Sequence, residues 1–67
     1  MRVRINGREE NLPEGLVSLQ ELVENRGLVP ERVVVEVNLR ILPREEWPTV
    51  RLREEDSIEI VSFVGGG

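Results

Sequence analysis

An apolar strand runs straight into three glycines at the end of this sequence: Ser57-Ile58-Glu59-Ile60-Val61-Ser62-Phe63-Val64-Gly65-Gly66-Gly67. By the two-residue period of a strand, Ile58 and Ile60 share one face, while Val61 and Phe63 point to the other. The first pair suits the middle of a folded core. The glycines cannot pack, because they lack side chains, and they keep the highest backbone entropy of any residue type. Three extended residues reach roughly 10 Å beyond a folded body. The expected organisation is a folded domain over residues 1–64 carrying a thin, flexible tail at 65–67 that ends in a carboxylate on Gly67.

The remaining residues have to build that body within 67 positions, which allows one domain with a modest core. The sequence has no Cys and no His, so disulfides and the usual zinc sites are excluded, and no metal site is expected. The net charge of −4 argues against a nucleic-acid binder, whose affinity rests on an excess of basic charge. All nine basic residues are Arg, so the chain offers no Schiff-base amine and no lysine for conjugation onto itself. Met1-Arg2-Val3-Arg4-Ile5 lacks the apolar run of a signal peptide, and no segment approaches transmembrane length. A cytoplasmic monomer with no membrane partner is the expectation.

Val3 and Ile5 alternate with arginines, and Asn6-Gly7 is the strongest short hairpin signal, because both residues tolerate positive φ. A second strand is expected over residues 8–12, with Leu12 inward. Ser18-x-x-Glu21 reads as a capping box, with Val17 and Leu22 at the positions of a hydrophobic staple. It opens a helix over about 19–26 that presents Leu19, Leu22 and Val23 on one face and stops at Gly27. Val33 to Asn38 is β-branched and strand-like; Asn38-Leu39-Arg40 turns the chain, and Ile41-Leu42 forms a brief return strand. Arg44-Glu45-Glu46-Trp47-Pro48 reads as a single helical turn that sets Trp47 as a lid on the core. Thr49 to Arg53 is expected to add a short edge strand, and Glu54-Glu55-Asp56 a solvated turn. The result is an α+β domain, a mixed sheet of four to five strands covered by one helix, in an order that suggests the β-grasp arrangement. Leu19, Leu22 and Val23 are expected to pack beside Val3, Ile5, Val35, Val37, Ile58 and Ile60.

Catalysis within the chain is poorly supported, since without His, Cys, Tyr or Lys acid–base work falls to carboxylates at turns and edges. The chain is therefore expected not to be an enzyme and to hold no cofactor. The end differs. A C-terminal carboxylate is ionised at neutral pH and is a poor electrophile. Converted to a mixed anhydride with AMP, it becomes open to attack by sulfur or nitrogen, and glycines can thread a narrow channel to reach an enzyme's ATP. The plain alternative is an interaction domain with an inert tail.

Val35-Glu36-Val37-Asn38, Pro43-Arg44-x-x-Trp47, Ile58-Glu59-Ile60-Val61 and Phe63-Val64-Gly65-Gly66-Gly67 together resemble the ThiS-type sulfur carriers of thiamine biosynthesis, which are ubiquitin-like β-grasp domains. The resemblance covers nearly the whole chain. It implies that Gly67 is adenylated by an ATP-dependent, E1-like activating enzyme and that sulfur from a persulfide donor replaces the adenylate to leave a thiocarboxylate. Thiazole synthase then takes that sulfur. Gly65 and Gly66 would thread the partner active sites, and Phe63 with Val61 would dock on both enzymes, unless residues 40–48 fold back over that face. The family often has Gly-Asp before its last strand; here Glu55-Asp56 stands there, so the turn has to be built without glycine. The small subunit of molybdopterin synthase, also a glycine thiocarboxylate carrier, and a ubiquitin-like modifier conjugated through Gly67 are the competing readings.

Overall fold

In the computed structural model, which describes residues 1–63, five strands and one α-helix follow the expected order. The strands are β1 (Arg2–Ile5), β2 (Arg8–Asn11), β3 (Val33–Val37), β4 (Arg40–Leu42) and β5 (Ser57–Ser62), and the helix is α1 (Leu19–Asn25). They form one mixed sheet in the order β2-β1-β5-β3-β4. β1 and β5 are parallel at its centre, and all other neighbours are antiparallel. This is the β-grasp arrangement, with the last strand between the first and the third.

Two tight turns join the hairpins. Asn6 (φ 50°) and Gly7 (φ 84°) connect β1 to β2, and Asn38 (φ 50°) and Leu39 (φ 72°) connect β3 to β4. Positive φ at both central residues matches the right-handed twist of the flanking strands. The helix begins as expected: Ser18 Oγ accepts the Glu21 amide at 3.1 Å, and the Glu21 carboxylate accepts the Val17 and Ser18 amides at 2.9 Å each. Those backbone donors hold the Glu21 carboxyl below its usual range. Val17 stays 41 % exposed, and its backbone amide helps fasten this end through Glu21. Gly27 (φ 69°) takes the left-handed position after the Arg26 cap.

The inner sheet face and α1 close one core. Leu19, Leu22 and Val23 pack with Val3, Ile5, Val35 and Ile58, while Val37 and Ile60 are half-buried at its margin. Leu12 is inward as expected, and Leu16, Val33, Leu52 and Trp47 complete the cluster. Trp47 is more than a lid: it is fully buried in a 3-10 helix (Arg44–Thr49), with its Nε1 donating to the Leu42 carbonyl at 2.9 Å.

Two expectations need correction. Residues 49–53 do not form an edge strand of the sheet. Thr49 is spent on the end of the 3-10 helix, where its hydroxyl donates to the Glu46 carbonyl. The next residues cross the start of α1 instead, with Leu19 N–H donating to Val50 O, Leu52 N–H to Val17 O, and a single bridge between Arg51 and Ser18. Burying Leu52 and part of Val50 against the helix outweighs pairing at an edge that Arg51 and Arg53 would keep in water. Nor is the 54–56 turn wholly solvated, because Asp56 is buried. Its Oδ2 accepts the Arg53 amide at 2.7 Å and its Oδ1 accepts Asn38 Nδ2 at 2.9 Å. The missing glycine is replaced conformationally: Glu55 itself sits at φ 71°, donating its amide to Arg2 O at 2.7 Å and pairing its carboxylate with the Arg2 guanidinium at 3.0 Å. That hydrogen-bonded carboxylate raises the Arg2 guanidinium above its ordinary value.

Candidate functional site

The site is the end of β5 and the sheet face turned away from the helix. Alternation along β5 buries Ile58, half-buries Ile60, and leaves Val61 52 % and Phe63 59 % exposed on the other side. This is the division between core and outer face expected from the sequence. Residues 40–48 do not cover this face. β4 pairs at the far edge of β3, and Trp47 turns to the inner side.

Register brings further residues to the same surface. Val34 lies directly opposite Val61, Glu36 opposite Glu59, and Ile41 opposite Glu36. Opposed residues project from the same side of a sheet, so Val34, Ile41, Val61 and Phe63 form an apolar surface bordered by two carboxylates. Sequence reasoning named only Val61 and Phe63. The alternation in Val33-Val34-Val35-Glu36-Val37 carried the signal for Val34 and Glu36, but their neighbours on β5 follow only from the register.

The strand is held on both edges, on one of them as far as Phe63. On one side, the Phe63 amide donates to the Arg32 carbonyl at 2.7 Å. On the other, the ladder to β1 runs from Arg4 N–H on Asp56 O to Asn6 N–H on Ile58 O, both at 2.8 Å. The Asn6 side chain then carries it one step further, its Oδ1 accepting the Ile60 amide at 2.8 Å and its Nδ2 donating to the Ile60 carbonyl at 3.2 Å. An amide side chain has one acceptor and one donor group, as the next strand residue would have had. Asn6 was read only as a turn residue; its second role was not visible. The expected tail residues Gly65, Gly66 and Gly67 lie outside the described residues. Among the described residues, no cluster of three acidic side chains is arranged to hold a metal ion, and no helix is long and apolar enough to cross a membrane.

A five-stranded β-grasp body with an apolar outer face, followed in sequence by three glycines, defines the class. The family model that matches this chain is the ThiS family, over residues 2–67. The crystal structure of the thiamine biosynthesis protein ThiS from Geobacter metallireducens superposes with a TM-score of 0.83 at 28 % identity, covering all of both chains. The sulfur carrier protein ThiS of Bacillus subtilis is 35 % identical over 65 residues, 97 % of this chain and 98 % of that protein. The sulfur carrier protein TtuB of Thermus thermophilus is 38 % identical over 69 residues, with all of both chains covered. A thiazole synthase from Magnetococcus marinus is 39 % identical over 67 residues, but this chain spans only 20 % of its length. The chain belongs to the ThiS family, the β-grasp sulfur-carrier family that its sequence resembles.

Proposed function

We propose that this chain carries sulfur for thiamine biosynthesis on the carboxyl group of Gly67. The reading rests on the family match, which runs from Arg2 to Gly67 and takes in the glycine end together with the folded body. In an ATP-dependent, E1-like activating enzyme, the carboxylate attacks the α-phosphorus of ATP and pyrophosphate leaves. A persulfide sulfur then attacks the carboxyl carbon of the acyl adenylate, and AMP leaves. A second thiol cleaves the resulting sulfur–sulfur bond, forming a disulfide with the donor and leaving the thiocarboxylate on Gly67. Thiazole synthase takes that sulfur. In the Magnetococcus thiazole synthase a segment resembling this whole chain shares one polypeptide with the rest of the protein, which supports that enzyme as the acceptor. The chain is a co-substrate in this scheme; every chemical step belongs to its partners.

Position governs the chemistry. Deleting Gly67 leaves a similar carboxylate on Gly66 but sets it back by roughly 3.3–3.6 Å. A misplacement of even 1 Å can cost on the order of 100-fold in rate, so ATP–pyrophosphate exchange with the cognate activating enzyme should collapse while the melt is unchanged. Adding a residue after Gly67 should fail by overshoot, and Gly66→Val by bulk and lost backbone freedom. A deletion variant that exchanges as fast as the parent refutes the proposal.

The body docks through Phe63 and Val61. Phe63→Ala should weaken both complexes by about 2 kcal/mol, the scale of an interface hot spot, and leave the melt nearly unchanged because the ring is exposed. Unaltered affinity for both enzymes would remove Phe63 from the interface. The similarity to TtuB, which its name gives as a sulfur carrier, supports carriage of sulfur over conjugation. Intact mass separates the fates: a carrier exchanges oxygen for sulfur, and a conjugated modifier appears as higher-mass adducts.

A further inference from the structure

The outer face holds a pair of charges that the carrier chemistry does not use. Glu36 on β3 lies directly opposite Glu59 on β5. Opposed positions hold their Cβ atoms roughly 4.5–5.5 Å apart, where like charges repel and weaken the sheet. Neither carboxylate has an ion-pair partner among the described residues. The two arginines of β1 on this face pair elsewhere, Arg4 at 3.9 Å from Glu9 on β2 and Arg2 at 3.0 Å from Glu55. The pair borders the apolar surface on two sides, with Val34 and Val61 opposed one step towards Phe63 and Ile41 opposite Glu36 on the outer strand, while Ser57, paired with Arg4, lies on its other side. Two opposed carboxylates thus stand at the margin of the apolar surface that a partner would cover.

We infer that the partner docking on this face sets an arginine or lysine over Glu36 and Glu59 while its apolar side chains cover Val34, Ile41 and Val61. The inference rests on the carrier reading above, and the occupant it commits to is thiazole synthase, since in the Magnetococcus and Paramagnetospirillum thiazole synthases a segment resembling this whole chain shares one polypeptide with the rest of the protein. One cation answers both carboxylates and relieves their mutual repulsion, and a guanidinium can reach two carboxylates at once through its fork of donors. Covering the face excludes water, which strengthens the attraction. The same covering penalises any partner without a cation, because it would bury two carboxylates unpaired. The pair therefore selects among partners that could all cover the apolar side chains. With a net charge of −4, the chain also draws a basic docking surface from a distance, and the on-rate falls as salt rises.

The test measures binding of the full chain to thiazole synthase over a range of salt concentrations, for the parent, Glu36→Gln with Glu59→Gln, and Phe63→Ala. The double variant is expected to bind on the order of 30-fold or more weakly and to lose most of the salt dependence. Free in solution it should melt at or above the parent's temperature, since a repulsion is gone, so weaker binding cannot be assigned to unfolding. If the double variant binds with the parent's affinity and salt slope while Phe63→Ala binds weakly, the face docks without a cation; this inference falls and the carrier reading stands. If the parent does not bind thiazole synthase at all, both fall. Two further results would overturn it: a parent dimer in sedimentation that the double variant lacks, which would make a second copy the occupant, and a rise in the parent's melt with magnesium or calcium that the double variant lacks, which would make the occupant a metal ion.

Discussion

Replacing Asp56 by alanine should remove about 3 kcal/mol of stability. The carboxylate is buried and joins three segments: its Oδ2 takes the Arg53 amide at 2.7 Å, its Oδ1 takes Asn38 Nδ2 at 2.9 Å, and Asn38 Oδ1 in turn takes the Ser57 amide at 3.0 Å. Through these bonds the β3–β4 turn is tied to the first residue of β5. A hydrogen bond to a charged group contributes about 1.5–3 kcal/mol net. Both donors belong to exposed residues, so water replaces part of what is lost, and the low end of that range applies to each bond. Against a total of about 0.05–0.15 kcal/mol per residue, such a loss is a large share for a domain of this size. Asp56→Asn keeps one acceptor and should lose about half as much. Urea unfolding at neutral pH measures both variants. Asn38→Gly, which tolerates the φ of 50° at that position, completes a double-mutant cycle whose coupling should exceed about 0.5 kcal/mol. A loss below about 0.5 kcal/mol for Asp56→Ala would mean that the turn is solvated after all and the network idle.

Leu22→Ala opens the centre of the core, where Leu22 is completely buried between α1 and the sheet, and should cost about 2–5 kcal/mol in the same assay; an unchanged melt would refute the core assignment. The Glu21 carboxyl is held below its usual range by the Val17 and Ser18 amides, so its contribution is fully present above the ordinary carboxylate range and is lost as the pH falls through the lowered folded value. Glu21→Gln should flatten that part of the acid unfolding profile, and a profile identical to the parent's would show that the cap does not depend on charge.

What was legible in the sequence is what neighbouring residues decide among themselves. Asn6-Gly7 specifies its turn because both residues accept positive φ, and Ser18 with Glu21 specifies the helix start because the two reach each other's backbone. Asp56 looked no different from Glu54 and Glu55, and only the approach of Asn38, which contacts it across 18 positions, makes it a buried acceptor. Glu55 shows the same limit from another side: nothing local marks it for the left-handed conformation, which the bond from its amide to Arg2 O imposes. Residues 49–53 read as an edge strand because their composition suits one, while the contacts that decide against it come from α1. On the outer face, Val61 and Phe63 followed from alternation, whereas the meeting of Glu36 with Glu59 depends on the register between two strands more than 20 positions apart.

Under the proposed carrier function, the placement of β5 lets one small body present both a docking face and the start of its C-terminal segment. A central strand paired on both sides is among the last elements to open, because opening it breaks two ladders and exposes the core residue Ile58 together. Asn6 extends the ladder on the β1 side past the end of β1, and Arg32 extends the hold on the β3 side to Phe63. The residues presented outward, Val61 and Phe63, are therefore fixed relative to the core by the same bonds that fix the last described position before the tail. An enzyme that grips the outer face thereby also sets the point from which the glycines start. Four residues, Val64 to Gly67, follow Phe63 in sequence and can span at most about 13–14 Å when extended. Alignment of a reacting carboxyl group can then come from docking the body, and each enzyme needs only to channel a short, slim segment rather than to bind its side chains. Under the proposed function the body has to hold its shape up to Phe63, and substitutions that loosen the Asn6 contacts are expected to slow ATP–pyrophosphate exchange with the activating enzyme even with residues 64–67 unchanged.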